Sequence, residues 1–178
     1  MILTGSRIHD EWNAGRIDIQ PFHPKQLNPN SYDFRLGELL KVYTDEVLDL
    51  RRHNPTREIP IPEEGFVLQP GRIYLGHTLE WMGSDCYVPI IRAKSSTARL
   101  GLFVHVTSDL IDIGSHNQWT LQLNAVHPVR IYAGMRIGQV TFWEPKGEIV
   151  LYSGKYQGSR GPQGSLSWRD PDPGEPEP

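Results

Sequence analysis

The chain has 178 residues, with 18 Lys and Arg against 21 Asp and Glu, a formal net charge of −3 and a pI near 6.1. That length suits one domain with a sizeable core, and the slightly acidic balance excludes the basic footprint that duplex nucleic acid requires. The single cysteine, Cys86, excludes an internal disulfide framework and a multi-cysteine zinc site, and it points to a reducing, cytoplasmic compartment. No apolar run approaches the ~20 residues of a membrane span, and the N-terminus lacks the pattern of a signal peptide.

In chain order, the first element reads as a helix. Ser6 stands as its N-cap, Ile8 and Trp12 share one face, and Gly15 stops it. After Pro21 the pattern turns to short strands, Tyr32–Leu36 and Leu39–Tyr43, followed by a Pro-rich, charged stretch at 51–65 that reads as an exposed loop. Strand-like runs then recur between turn residues: Phe66–Leu68, Arg72–Trp81, Tyr87–Arg92, Phe103–Thr107, Gln118–Val126, Val129–Tyr132, Arg136–Trp143 and Glu148–Tyr152. Many short strands at even spacing predict a mainly β sandwich or barrel. One short helix interrupts them at Ser95–Leu100, with a serine to cap it and Gly101 to end it. The acidic, proline-rich tail from Arg169 to Pro178 cannot bury apolar surface, so disorder is expected there.

The chemistry concentrates in a few places. Lys94-Ser95-Ser96-Thr97-Ala98-Arg99-Leu100-Gly101 combines two cations with hydroxyls at a predicted helix N-terminus, where unpaired N–H groups and the helix dipole favour an anion. An ordinary capped surface helix has the same composition. Downstream, Asp112 in Thr107-Ser108-Asp109-Leu110-Ile111-Asp112-Ile113-Gly114 offers a carboxylate; by itself it reads equally as a turn residue before glycine. Gln122 offers a carboxamide that accepts and donates hydrogen bonds but neither takes up nor gives up a proton at neutral pH. By itself it reads as a polar residue alternating on a strand. The seven histidines show no metal-ligand spacing. One cysteine cannot build a zinc deaminase centre, so no zinc and no protein-borne metal site is expected. His105 reads as structural and the tryptophans as packing residues, with Trp119 also able to border a pocket.

The Lys94–Gly101 run closely resembles the central motif of the dCTP deaminase family, relatives of the trimeric dUTPases, written Arg/Lys-Ser-Ser-x-x-Arg-Leu-Gly. Asn28–Gly37, His105–Gly114, Gly134–Gln139 and Tyr152–Gly161 extend the likeness over roughly residues 1–168. The resemblance implies a distorted β-barrel or jelly-roll-like, dUTPase-type fold with few short helices, assembled as a homotrimer with sites between subunits. It implies triphosphate contacts from Lys94, Ser95, Ser96, Tyr152 and Lys155, with Ser159 in place of a glutamine and Arg160 as a compensating cation. Ser95 and Arg99 would reach the catalytic centre, and Thr107, Ser108, Asp112 and Gln122 would border base and sugar. Magnesium would arrive on the triphosphate.

The same resemblance implies a pyrimidine deoxynucleoside triphosphate as ligand, dCTP or a dUTP- or dTTP-like nucleotide, and neither membrane nor nucleic acid polymer as partner. Gln122 occupies the position of the family's catalytic glutamate. Three readings follow: dCTP deamination to dUTP and ammonia, dUTPase-type pyrophosphohydrolysis with Asp112 orienting water, or nucleotide binding without catalysis.

Overall fold

The computed structural model describes residues 1–170. Helix α1 (Gly5–Asn13) opens the chain. Twelve strands follow: β1 (Asp18–Gln20), β2 (Tyr32–Arg35), β3 (Leu39–Tyr43), β4 (Thr56–Pro60), β5 (Phe66–Leu68), β6 (Tyr74–His77), β7 (Trp81–Gly83), β8 (Val88–Ala93), β9 (Leu102–Phe103), β10 (Thr120–Ala125), β11 (Val129–Ile131) and β12 (Arg136–Trp143). A second helix, α2 (Ser95–Ala98), lies between β8 and β9.

All the pairings are antiparallel, in a five-stranded sheet ordered β4-β3-β6-β10-β9, a three-stranded sheet ordered β2-β12-β8, and the pairs β1-β7 and β5-β11. The mainly β expectation with few short helices holds. Between the sheets lies a core in which Tyr32, Phe34, Leu40, Ile91, Leu121, Leu123, Val140 and Phe142 are all 5% exposed or less. Each such side chain contributes roughly 1.5–3 kcal/mol of burial. No helix of the described residues is long and apolar enough to cross a membrane.

Several boundaries differ from those expected. Thr4, not Ser6, caps α1, with its hydroxyl accepting the Arg7 N–H at 3.4 Å. The charged stretch at 51–65 is not all loop, because β4 forms within it on the edge of the larger sheet. An edge tolerates charge and proline; Glu58 meets Lys41 at 3.5 Å and Pro60 closes the strand. The run Arg72–Trp81 is two strands, because Glu80 turns inward between them. Its carboxylate is fully buried and accepts the Arg35 N–H at 2.8 Å, the Arg35 Nε–H at 2.7 Å and the Gln26 amide at 3.1 Å.

Phe103–Thr107 keeps a strand only at Leu102–Phe103. Glu148–Tyr152 forms none; it is held to the fold by the Tyr152 N–H on the Ile113 carbonyl at 2.8 Å. At α2 the N-cap is Lys94, not a serine, and it makes no side-chain cap bond. The helix ends at Ala98 and the chain turns at Gly101, whose φ of 73° is one that a side chain would strain. Arg169 closes a short 3₁₀ turn and Asp170 pairs with Lys155; the rest of the expected disordered tail lies outside the described residues.

Candidate functional site

The site begins with the alternation of β10. Leu121, Leu123 and Ala125 point into the core, while Thr120, Gln122 and Asn124 are half-buried on the opposite face. Against that face lies a cavity of about 400 Å³, lined by Gln122, Thr120, Gln118, Asp112, Ser108 and Tyr152 among others. Asp112 is exposed, in the loop that leads to β10, and it is the one carboxylate among the described lining residues. The turn after it depends on Gly114, with φ 86°, where a Cβ would stand 2.9 Å from the Tyr152 N and from Leu151. Only glycine lets the C-terminal segment approach Asp112 so closely.

That segment closes the cavity along one wall. The Ser159 N–H donates to Asn117 Oδ1 at 2.8 Å, the Gly161 N–H to Gln118 Oε1 at 2.8 Å and the Gln163 N–H to Thr120 Oγ1 at 3.0 Å. The Ser165 N–H then turns to the Tyr43 hydroxyl at 2.8 Å, and the Leu166 N–H to the Tyr156 hydroxyl at 2.8 Å. The Gln122 side chain faces the cavity with no hydrogen-bond partner among the described residues.

The predicted residues therefore divide into two groups. Ser108, Asp112, Gln122, Tyr152 and Ser159 line one cavity. Lys94, Ser95, Ser96, Arg99 and Thr107 do not line it, nor do Lys155 and Arg160. Ser95, Ser96 and Arg99 lie exposed on α2. Lys94 is turned inward onto the buried Asp33. Lys155 is paired with Asp170 and lies 5.7 Å from the Tyr156 ring centre. Arg160 stacks 4.6 Å over the Trp81 ring. His105 lies beyond β9 with its Nδ1 buried and unpartnered, and burial lowers its pKa.

Sequence reasoning missed Tyr43, Gln118, Thr120 and Gln163. Gln118 and Thr120 carry a legible signal, since they share the parity of Gln122 on a strand whose odd positions are apolar. Tyr43 has no local signal, because it reaches the cavity from β3, two strands away from β10 in the sheet. Among the described residues there is no group of three or more His, Cys, Asp or Glu able to hold a metal ion. Chemically, the cavity offers a carboxylate of the kind that can orient and deprotonate water, a carboxamide able to pair with a hydrogen-bonding edge, and apolar and aromatic walls.

This arrangement has known relatives. The dCTP deaminase-like family matches residues 2–145, and the chain belongs to it. A protein from Clostridium acetobutylicum named dCTP deaminase, dUMP-forming, is 46% identical over 171 residues, covering 96% of this chain and 98% of that protein. Proteins of the same name from Leptospira biflexa and Cytophaga hutchinsonii are 45% and 44% identical over the same length. In fold, the crystal structure of 2′-deoxycytidine 5′-triphosphate deaminase from Agrobacterium tumefaciens is similar, with a TM-score of 0.63 at 22% identity over 79% of this chain. The chain spans about half of that longer protein, 47% of its length.

Proposed function

We propose that this protein hydrolyses a pyrimidine deoxynucleoside triphosphate to the monophosphate and diphosphate, with dUTP giving dUMP. The observation that supports this reading is that Asp112 and Gln122 line one cavity, a proton acceptor together with a group that cannot transfer a proton. Water oriented by Asp112 forms the new bond to the α-phosphorus. The bridging α–β P–O bond breaks, diphosphate leaves, and the water's proton passes to the carboxylate. Gln122 holds the pyrimidine edge. Ring deamination needs a group that takes a proton from water and returns it to the departing amine. That contribution is typically ~10²–10⁴ in rate, and Gln122 cannot supply it. Magnesium enters with the triphosphate as part of the substrate, because the cavity's single carboxylate makes no resident site.

A homotrimer belongs to the same proposal. Ser95, Ser96 and Arg99 lie outside the cavity of their own chain, and around them Leu100, Phe103 and Val126 are 63%, 49% and 54% exposed. Burying that apolar face against a second copy would carry the hydroxyls and the guanidinium to a neighbour's triphosphate, with Lys94 at the base of the helix. Tyr152 and Ser159 meet the nucleotide from the cavity's own chain, and Lys155 and Arg160 approach once they leave Asp170 and Trp81. We place the reaction in the cytoplasm, where the free nucleotides are.

A second reading is the whole reaction in the relatives' name, dCTP to dUMP with release of both ammonia and diphosphate. Identity of 46% over 96% of the chain favours it. Incubation with dCTP and with dUTP plus magnesium, measuring ammonia and diphosphate, separates the two. Diphosphate from dUTP without ammonia from dCTP supports the first reading. Ammonia from dCTP at an ordinary enzymatic rate selects the second, and tight binding with neither product leaves a nucleotide-binding protein without catalysis.

A further inference from the structure

We infer that the cavity is ambivalent between uracil and cytosine, and that dCTP leaves it as dCMP with the base amine intact. This rests on the Asp112-centred hydrolysis proposed above and extends it to a second substrate and a different product.

The contacts between the C-terminal segment and the cavity residues follow a register that stops short of Gln122. Thr120 precedes Gln122 on the cavity side of β10, Gln118 lines the cavity two residues earlier, just before the strand, and the C-terminal segment engages both. The Gln118 amide is committed at each end, donating to the Leu79 carbonyl at 3.0 Å and accepting the Gly161 N–H at 2.8 Å. Thr120 accepts the Gln163 N–H at 3.0 Å. The step of two residues from Gln118 to Thr120 is matched by two on the segment, from Gly161 to Gln163, so the next contact would bring Ser165 to Gln122. Instead the Ser165 N–H donates to the Tyr43 hydroxyl at 2.8 Å. The third amide or hydroxyl in the row is left facing the cavity, with no partner among the described residues.

An uncommitted carboxamide turns over about its last torsion, a broad two-fold well. In one orientation Oε1 accepts N3–H of uracil and Nε2 donates to O4. In the other, Nε2 donates to N3 of cytosine and Oε1 accepts from the 4-amino group. Both orientations form two hydrogen bonds. A committed amide such as Gln118 would select one base; Gln122 selects neither. Catalysis at the α-phosphorus is indifferent to which base is held. For dCTP the water oxygen bonds the α-phosphorus, the α–β bridging bond breaks, diphosphate departs and Asp112 takes the proton. The C4–N bond of the ring is untouched, and the overall change is dCTP plus water to dCMP, diphosphate and a proton.

The test is product analysis of the full-length protein with magnesium and either dCTP or dUTP. The expected result is one diphosphate per dCMP formed, no ammonia and no dUMP from dCTP, with kcat/KM for the two nucleotides within about tenfold. Gln122→Met, checked for an unchanged melting temperature, lowers both values by a similar factor, on the order of tenfold to a hundredfold for two lost bonds. Gln122→Asn, shorter by one methylene, does the same if the methionine variant fails to fold. Hydrolysis of dUTP with dCTP neither hydrolysed nor competitive overturns the inference and leaves the proposed hydrolysis standing. Formation of dUMP and ammonia from dCTP also overturns it. No diphosphate from either nucleotide overturns both, and displacement measurements showing equal binding of the two would then place the failure at Asp112.

Discussion

The Lys94 ammonium rests on the carboxylate of Asp33, a side chain only 2% exposed. Asp33 also accepts the Asn28 amide at 2.8 Å, and Arg136 stands at 3.6 Å. Lys94 is thus the pin that fixes the start of α2 to β2, while the Ser95, Ser96 and Arg99 side chains have no partner among the described residues. Removing Lys94 leaves the buried Asp33 carboxylate with the Asn28 amide and, at 3.6 Å, Arg136. Lys94→Ala is therefore expected to cost about 3 kcal/mol in urea denaturation. Asp33→Asn/Lys94→Ala should cost less than the sum of the two single changes, because the two side chains act as a unit.

A second prediction concerns acid. Glu11 is fully buried on α1 between Arg16 and Arg7, the latter at 2.8 Å. Its pKa is lowered from 4.5 to about 2, first by the Arg16 hydrogen bond, against burial, which raises it, with Tyr87 and Arg7 adding to the lowering. A carboxyl depressed in this way stabilises the fold above pH 4.5, and the contribution disappears as pH falls through about 2. Glu11→Gln is expected to lower the melting temperature at neutral pH by several degrees, for about 2 kcal/mol of lost charge-assisted bonding. Scans from pH 7 down to pH 2 should show the gap between variant and parent closing.

Tyr43 supplies a third. Its hydroxyl is the acceptor that draws the C-terminal segment away from Gln122. Tyr43→Phe removes one hydrogen bond, worth about 1 kcal/mol net, so the segment frays at Ser165 with little global loss. Faster amide exchange at Ser165 and a KM raised by up to about tenfold, with kcat nearly unchanged, are the expected signatures.

The Ser-Ser-x-x-Arg run and the strand rhythm made the family and the β architecture legible before any coordinates; Asp112 and Gln122 line one cavity in the structure. What stayed hidden is tertiary. Composition marked residues 51–65 as loop, and only the exposed edge position of β4 makes that composition acceptable in a strand. The apolar run through Glu80 looked continuous, and its interruption depends on Arg35 and Gln26, 45 and 54 residues away. Lys94 reads as a surface cation until Asp33, 61 residues earlier, is seen beneath it. Glu148–Tyr152 has strand-forming residues, but the Tyr152 N–H bonds the Ile113 carbonyl in a loop and not a strand. In each case a partner distant in the chain decided the outcome.

The central claim is that Asp112 activates the water that attacks the α-phosphorus. Its most direct test is steady-state release of diphosphate from dUTP by Asp112→Asn with magnesium. The account predicts a fall in kcat of about 10²–10⁴, with KM and melting temperature close to the parent's. An unchanged kcat would contradict it.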